Sequence, residues 1–126
     1  MTGEQVLVVE DNEKNMKLFR DVLVATCFRT LEATTGCEAV DMASEHTPDL
    51  VLMDIQLTDL DGVAALHRLR ADARTATIPV LALTAQAMRG DRERFLDEGF
   101  DGYVSKPVNV RELIAIVRQH CEGRLG

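Results

Sequence analysis

No tryptophan occurs in the 126 residues, and four phenylalanines and one tyrosine hold the aromatic share at 4%. With 46% hydrophobic residues, the core must be aliphatic, which suits buried strands rich in Val and Leu. The three cysteines, Cys27, Cys37 and Cys121, are odd in number and form no C-x-x-C pair, which argues against a disulfide framework, a redox motif or a zinc site. They read as buried or half-buried thiols in a reducing cytosol. His46, His67 and His120 stand apart from any Cys or acid at ligand spacing and read as surface side chains. The three prolines are scattered, and there is no repeat, low-complexity stretch or Pro/Gly-rich linker. Apolar runs stay far short of the ~20 residues of a membrane span, and nothing near Met1 resembles a signal peptide. The reading is a cytoplasmic protein with no membrane contact. Positive charge is scarce too: 14 basic residues face 21 acidic ones, and a net charge of −7 argues against binding nucleic acid. The length fits one domain, residues 1–126, with a core large enough to need no staple.

What the chain does have is a set of short apolar runs that each end in a polar side chain. Val6-Leu7-Val8-Val9 ends in Glu10-Asp11, and Leu50-Val51-Leu52-Met53 in Asp54. Val80-Leu81-Ala82-Leu83 ends in Thr84, and Gly102-Tyr103-Val104-Ser105 in Lys106-Pro107. A weaker strand fits Arg29–Ala33. Between the runs lie helical patterns: Met16, Phe19, Val22 and Leu23 share a stripe, as do Val63, Leu66 and Leu69. A charged helix spans roughly Arg89–Glu98 and stops at Gly99. Its Asp91-Arg92-Glu93-Arg94 reads as a solvated face. Val110, Leu113, Ile114, Val117 and Cys121 form the last stripe. Thr35 with Glu38, and Asn109 with Glu112, carry the N-cap pattern. The alternation predicts a (βα)5 flavodoxin-like doubly wound parallel sheet in the order 2-1-3-4-5. In that order the polar termini gather at the carboxyl edge, where open α/β sheets bind ligands.

Three acids crowded there raise one another's pKa unless a cation neutralises them. Mg²⁺ fits: it takes one or two carboxylates, keeps several waters and leaves a position for a phosphate oxygen. A carboxylate beside it can accept a phosphoryl group as an aspartyl phosphate. Lys106 would supply fixed positive charge and Thr84 a hydroxyl hydrogen bond. Lys106-Pro107 after a short strand suggests an X-Pro bond in a tight turn, held cis to aim the lysine.

Val8-Val9-Glu10-Asp11-Asn12, Leu52-Met53-Asp54, Ala82-Leu83-Thr84-Ala85 and Tyr103-Val104-Ser105-Lys106-Pro107, in that order, resemble the receiver domain of two-component response regulators over essentially the whole chain. The stretches Glu10–Phe19 and Ala85–Asp91 are similar to DivK-type stand-alone receivers and to receivers of hybrid histidine kinases. The resemblance implies that Asp54 is the phosphoacceptor. It implies Mg²⁺ held by Glu10, Asp11, Asp54 and the backbone carbonyl of Gln56, and a phosphoryl group bound by Thr84 and Lys106. It makes Tyr103, three residues before Lys106, the switch residue that swings inward as Thr84 moves. Gln56 and Gln86 fall at positions that tune dephosphorylation. Thr58 stands where the family usually has proline, implying a looser loop.

The implied function is a single-domain response regulator that takes a phosphoryl group from a histidine kinase or histidine phosphotransfer protein and signals through a downstream protein partner. It is not an enzyme beyond its own phosphorylation and dephosphorylation. Only about one helix follows Lys106-Pro107, so output is expected through the surface of the last two helices and the last strand. A phosphorelay shuttle or sink is the alternative. A haloacid-dehalogenase phosphatase is less favoured, because Asp54-Ile55-Gln56-Leu57-Thr58 puts an amide where the second acid should stand. A flavodoxin-like cofactor binder would need a Ser/Thr/Gly-rich loop where Glu10 and Asp11 lie.

Overall fold

A computed structural model of the chain describes residues 4–55, 57, 62–84, 91–106 and 108–125. Among these residues five strands alternate with five helices: β1 (Gln5–Val9), α1 (Glu13–Ala25), β2 (Arg29–Ala33), α2 (Gly36–His46), β3 (Leu50–Asp54), α3 (Gly62–Ala71), β4 (Val80–Thr84), α4 (Asp91–Glu98), β5 (Gly102–Ser105) and α5 (Val110–Leu125). The strands form one parallel sheet in the order β2-β1-β3-β4-β5, as the alternating pattern predicts. Every residue of β3 and β4 is buried, which explains their continuous apolar character. The outer strand β2 mixes exposed and buried positions and gives the weaker signal.

Strand periodicity splits the core into two layers. Val6, Val8, Leu50, Leu52, Leu81, Leu83 and Val104 pack against Met16, Phe19 and Leu23 of α1 and Leu113 and Val117 of α5. Leu7, Val9, Val51, Met53, Val80 and Ala82 pack against Ala39 and Ala43 of α2, Ala65, Leu66 and Leu69 of α3, and Phe95 of α4. The small residues of α2 and α3 let those helices lie close to the sheet. The last stripe needs correction at one end: Leu113 and Val117 are buried, but Val110 is 41% exposed in the first turn of α5. The Cys121 side chain lies outside the description. Cys27 and Cys37 are exposed, not buried, because each sits at a helix end rather than on a core stripe.

The helix ends follow the capping pattern. Thr35 Oγ1 accepts from the Glu38 N–H at 3.1 Å, and the Glu38 carboxylate accepts from the Thr34 N–H at 2.7 Å. Asn109 Oδ1 accepts from the Arg111 and Glu112 N–H groups at 3.0 and 3.2 Å. Gly99 takes φ +114° at the end of α4 and donates to the Leu96 carbonyl at 3.1 Å. Residues 89 and 90 of the expected charged helix lie outside the described residues. Of its solvated face, Glu93 and Arg94 are exposed, and the Arg94 guanidinium stacks 5.0 Å over the Phe95 ring.

Candidate functional site

Register brings the polar termini together. Val9 is paired with Met53, which sets Glu10 beside Asp54, and Thr84 is paired with Ser105, which sets Lys106 at the same edge. Alternation continues past the strand ends. Glu10, Asp54 and Lys106 follow the register of the α1/α5 face, and Thr84 follows that of the face toward α2, α3 and α4. The edge is pinned by backbone bonds: Glu10 N–H to the Ala33 carbonyl at 3.0 Å, Ile55 N–H to the Leu83 carbonyl at 3.1 Å, and Lys106 N–H to the Thr84 carbonyl at 2.7 Å.

Glu10 (1% exposed), Asp54 (5%) and Thr84 (6%) are buried polar residues at the edge of a largely aliphatic core. Carboxylate oxygens of Glu10, Asp11 and Asp54 lie within 4.8 Å of one another, with Asp11 exposed. The Lys106 ammonium reaches between two of them, 2.8 Å from Glu10 Oε2 and 3.1 Å from Asp54 Oδ2. The other Glu10 oxygen accepts from the Asn12 N–H at 3.3 Å. Asn12 is also the N-cap of α1, accepting from the Asn15 N–H at 3.0 Å. The sequence signal for this cap is an Asn just ahead of an amphipathic run, which the motif containing Asn12 masks.

Burial pushes the Glu10 carboxyl above its ordinary value, with the negative field of Asp54 adding to it, and the Lys106 hydrogen bond only partly offsets this. Burial pulls the Lys106 ammonium down, but the hydrogen bonds and charges of Glu10 and Asp54 outweigh it and leave its pKa above the ordinary lysine value. Among the described residues one ammonium, in contact with Glu10 and Asp54, stands against three clustered acids, a deficit of positive charge. Hard carboxylate oxygens this close, with net negative charge left over, suit a small divalent cation such as Mg²⁺.

Tyr103 lies half-buried on β5 opposite Ala82, on the same sheet face as Thr84, with its ring 6.2 Å from that of Phe95. The structure therefore brings together Glu10, Asp11, Asp54 and Lys106, with Thr84 at the same edge and Tyr103 behind it. Gln56, Thr58, Gln86 and Pro107 lie outside the described residues. His46 and His67 are exposed and His120 is half-buried.

A five-stranded sheet of this order with acids and a lysine at its carboxyl edge defines a receiver-type fold and site. The chain belongs to the response regulator receiver domain family, whose model matches residues 6–118. It is 45% identical over 117 residues to the polar-differentiation response regulators DivK of Brucella ovis and Brucella melitensis, covering 93% of this chain and 95% of theirs. Among solved structures, it is similar to the receiver domain of a sensor histidine kinase from Pseudomonas aeruginosa PAO1 at 35% identity. The TM-score is 0.88, with 96% of this chain and 99% of that one covered; that protein has a magnesium ion coordinated in its active-site cleft. A Francisella response regulator receiver domain superposes with a TM-score of 0.89 at 26% identity, covering 96% and 98% of the two chains. The family match does not favour the phosphatase reading. Among the described residues, no helix is long and apolar enough to cross a membrane.

Proposed function

We propose that the chain is a DivK-like response regulator that accepts a phosphoryl group on Asp54 from a phosphohistidine of a histidine kinase or phosphotransfer protein. The observation that carries this is Asp54 itself: a buried carboxylate at the end of an all-buried strand, held 3.1 Å from the Lys106 ammonium beside two further acids. An Asp54 carboxylate oxygen attacks phosphorus, the P–N bond breaks, and its electron pair leaves with the imidazole. Lys106 neutralises charge on the transferred oxygens, and Thr84 donates its hydroxyl to one of them. Glu10, Asp11 and Asp54 would hold Mg²⁺, which when bound neutralises the phosphoryl oxygens and fixes their direction. No other substrate is turned over: phosphorylation and dephosphorylation of Asp54 are self-catalysed. Intact mass after incubation with acetyl phosphate and Mg²⁺ should show one added phosphoryl group, mapped to Asp54 in the β3 peptide. A label on any other residue, or none, would sink the assignment.

Signalling follows by population shift. Phosphate held by Thr84 and Lys106 favours the state with Thr84 drawn inward, and only such differential binding can move the equilibrium. Tyr103 shares the sheet face of Thr84 and follows it, altering the α4–β5–α5 surface offered to a protein partner. Thr84→Ala should still accept phosphate, more slowly, while losing the change at Tyr103. Unchanged Tyr103 NMR shifts on beryllofluoride addition between Thr84→Ala and wild type would contradict the coupling.

A further inference from the structure

Among its described residues, α4 buries little. Eight residues do not sustain a helix in water. Of its described side chains only Phe95 is buried, while Glu93, Arg94, Leu96, Asp97 and Glu98 are exposed. What fixes α4 lies at its end. The Phe100 N–H donates back to the Phe95 carbonyl at 3.1 Å, and the two rings meet edge to face at 6.0 Å.

Into this turn reaches Arg70 from the last turn of α3. Its Nη1 donates to the carbonyls of Ala76 and Ile78 at 3.1 and 2.6 Å, and its Nη2 to the Gly99 carbonyl at 3.1 Å and Asp101 Oδ2 at 2.9 Å. The same Asp101 oxygen accepts from the Val80 N–H at 2.8 Å. One planar guanidinium therefore joins α3, the approach to β4 and the α4–β5 turn. Its partners differ in what they ride on. Asp101 is tied to β4 through Val80, whereas the Gly99 carbonyl belongs to the Gly99–Phe100 peptide, whose N–H closes α4 on the Phe95 carbonyl. Beside this point a groove of about 470 Å³, lined by Ile55, Val63, Ala64 and Phe95, lies between α3 and α4. The His67–Glu98 pair at 3.2 Å spans it, but both side chains are more than one-third exposed, so it adds little.

We propose that Arg70 is a positioning residue that latches α4 through the Gly99 carbonyl, so that opening of α4 requires that bond to break. The latch sets how often α4 leaves the sheet, while the Arg70–Asp101–Val80 ties keep β5 in register whether α4 is closed or open. This deepens the receiver reading: α4 is part of the surface through which phosphorylation would be read, and the signalling consequence rests on Asp54 being the phosphoacceptor. The latch itself does not.

Native-state amide exchange of Arg70→Met tests it, since methionine keeps the aliphatic stem and deletes the donors. The Phe95–Glu98 amides should exchange about tenfold or more faster at sub-denaturing conditions, the scale of one charge-assisted hydrogen bond. A purely structural Arg70, with contacts retained while α4 opens, would lower the denaturation midpoint and leave those amides at wild-type rates. That result overturns the proposal, as does unchanged exchange with unchanged stability. Arg70→Lys, with a single ammonium in place of the fork, serves if the methionine variant does not fold, and should give a smaller rise in the same amides. Beryllofluoride separates the two ideas. If wild-type Tyr103 does not respond to it, the phosphorylation-coupled switch fails and the exchange result stands alone. If it does respond, unliganded Arg70→Met should already lie part-way toward the bound shifts.

Discussion

Lys106→Met is expected to lose about 3 kcal/mol of stability, while Asp54→Asn keeps or gains stability and loses phosphoryl uptake altogether. The asymmetry follows from counting charge at the edge. The ammonium lies 2.8 and 3.1 Å from two carboxylates that are 1% and 6% exposed in their side chains, and itself is only 18% exposed. Removing it leaves Glu10 and Asp54 buried side by side without the ammonium that bridges them, the costly way to break a buried pair. Removing Asp54's charge instead leaves Lys106 still bonded to Glu10 and relieves one repulsion among three acids. A lysine whose pKa is raised by folding contributes stability that is fully present below the ordinary value of 10.5 and is lost only as pH climbs past its folded value. Glu10 runs the other way. Its raised pKa means the folded state holds its proton more tightly, so its ionisation works against the fold as pH rises above the ordinary 4.5. Urea denaturation at neutral pH in EDTA, repeated with Mg²⁺, checks this. The cation should restore a good part of what Lys106→Met loses, because binding to the folded state alone raises its stability. A Lys106→Met midpoint equal to wild type in EDTA would show that the ammonium is not what makes the acid pair tolerable. Labelling of Asp54→Asn at the wild-type level would remove Asp54 from its assigned role.

The residues of this site were legible because each breaks a rule that its neighbours obey. A carboxylate directly after Leu50-Val51-Leu52-Met53 gains nothing from packing, and parallel-sheet topology leaves the edge as its destination. The strands β1, β3 and β4 were equally plain, since burial on both faces leaves continuous apolar runs, Val6–Val9, Leu50–Met53 and Val80–Leu83. Arg70 could not be found that way. Its partners are carbonyls and one carboxylate lying 6 to 31 residues further along the chain, and nothing in the side-chain pattern of α3 sets it apart from Arg68. The left-handed backbone of Cys27 (φ 72°) and Thr47 (φ 44°) was equally hidden, since both turns use residues other than the glycine that usually marks one. Val110 showed the limit of periodicity: a helical stripe predicts a face but not where along the helix the sheet stops covering it. Nor does sequence tell a glycine needed for contact from one that is merely tolerated.

Gly62→Ala is expected to cost about 2–3 kcal/mol and to slow phosphorylation of the molecules that remain folded, whereas Gly102→Ala should change stability by less than about 1 kcal/mol. Both glycines open an element, and neither needs a left-handed backbone. They differ in what surrounds them. A Cβ on Gly62 would lie 2.5 Å from the Asp54 carbonyl oxygen, 2.9 Å from Ile55 Cα and 3.2 Å from the Asp54 carbonyl carbon, all backbone atoms of the strand end that carries the phosphoacceptor. That close approach lets the Gly62 N–H donate to the Ile55 carbonyl at 3.0 Å and seats α3 against the sheet through Ala65, Leu66 and Leu69. Backbone cannot rotate aside, so a methyl group there must push α3 outward or shift the Asp54–Ile55 backbone, and the expected shift of Asp54 disturbs its 3.1 Å contact with Lys106. At Gly102 the nearest atom is Leu81 Cδ2 at 3.1 Å, the tip of a side chain that can turn by a few tenths of an ångström. The next is His120 Nε2 at 3.6 Å, an ordinary contact. Paired denaturation curves and acetyl phosphate uptake for the two variants separate the cases. Equal stability loss in both, or a Gly62→Ala protein that takes up phosphate at the wild-type rate, would mean that α3 can be displaced without moving Asp54.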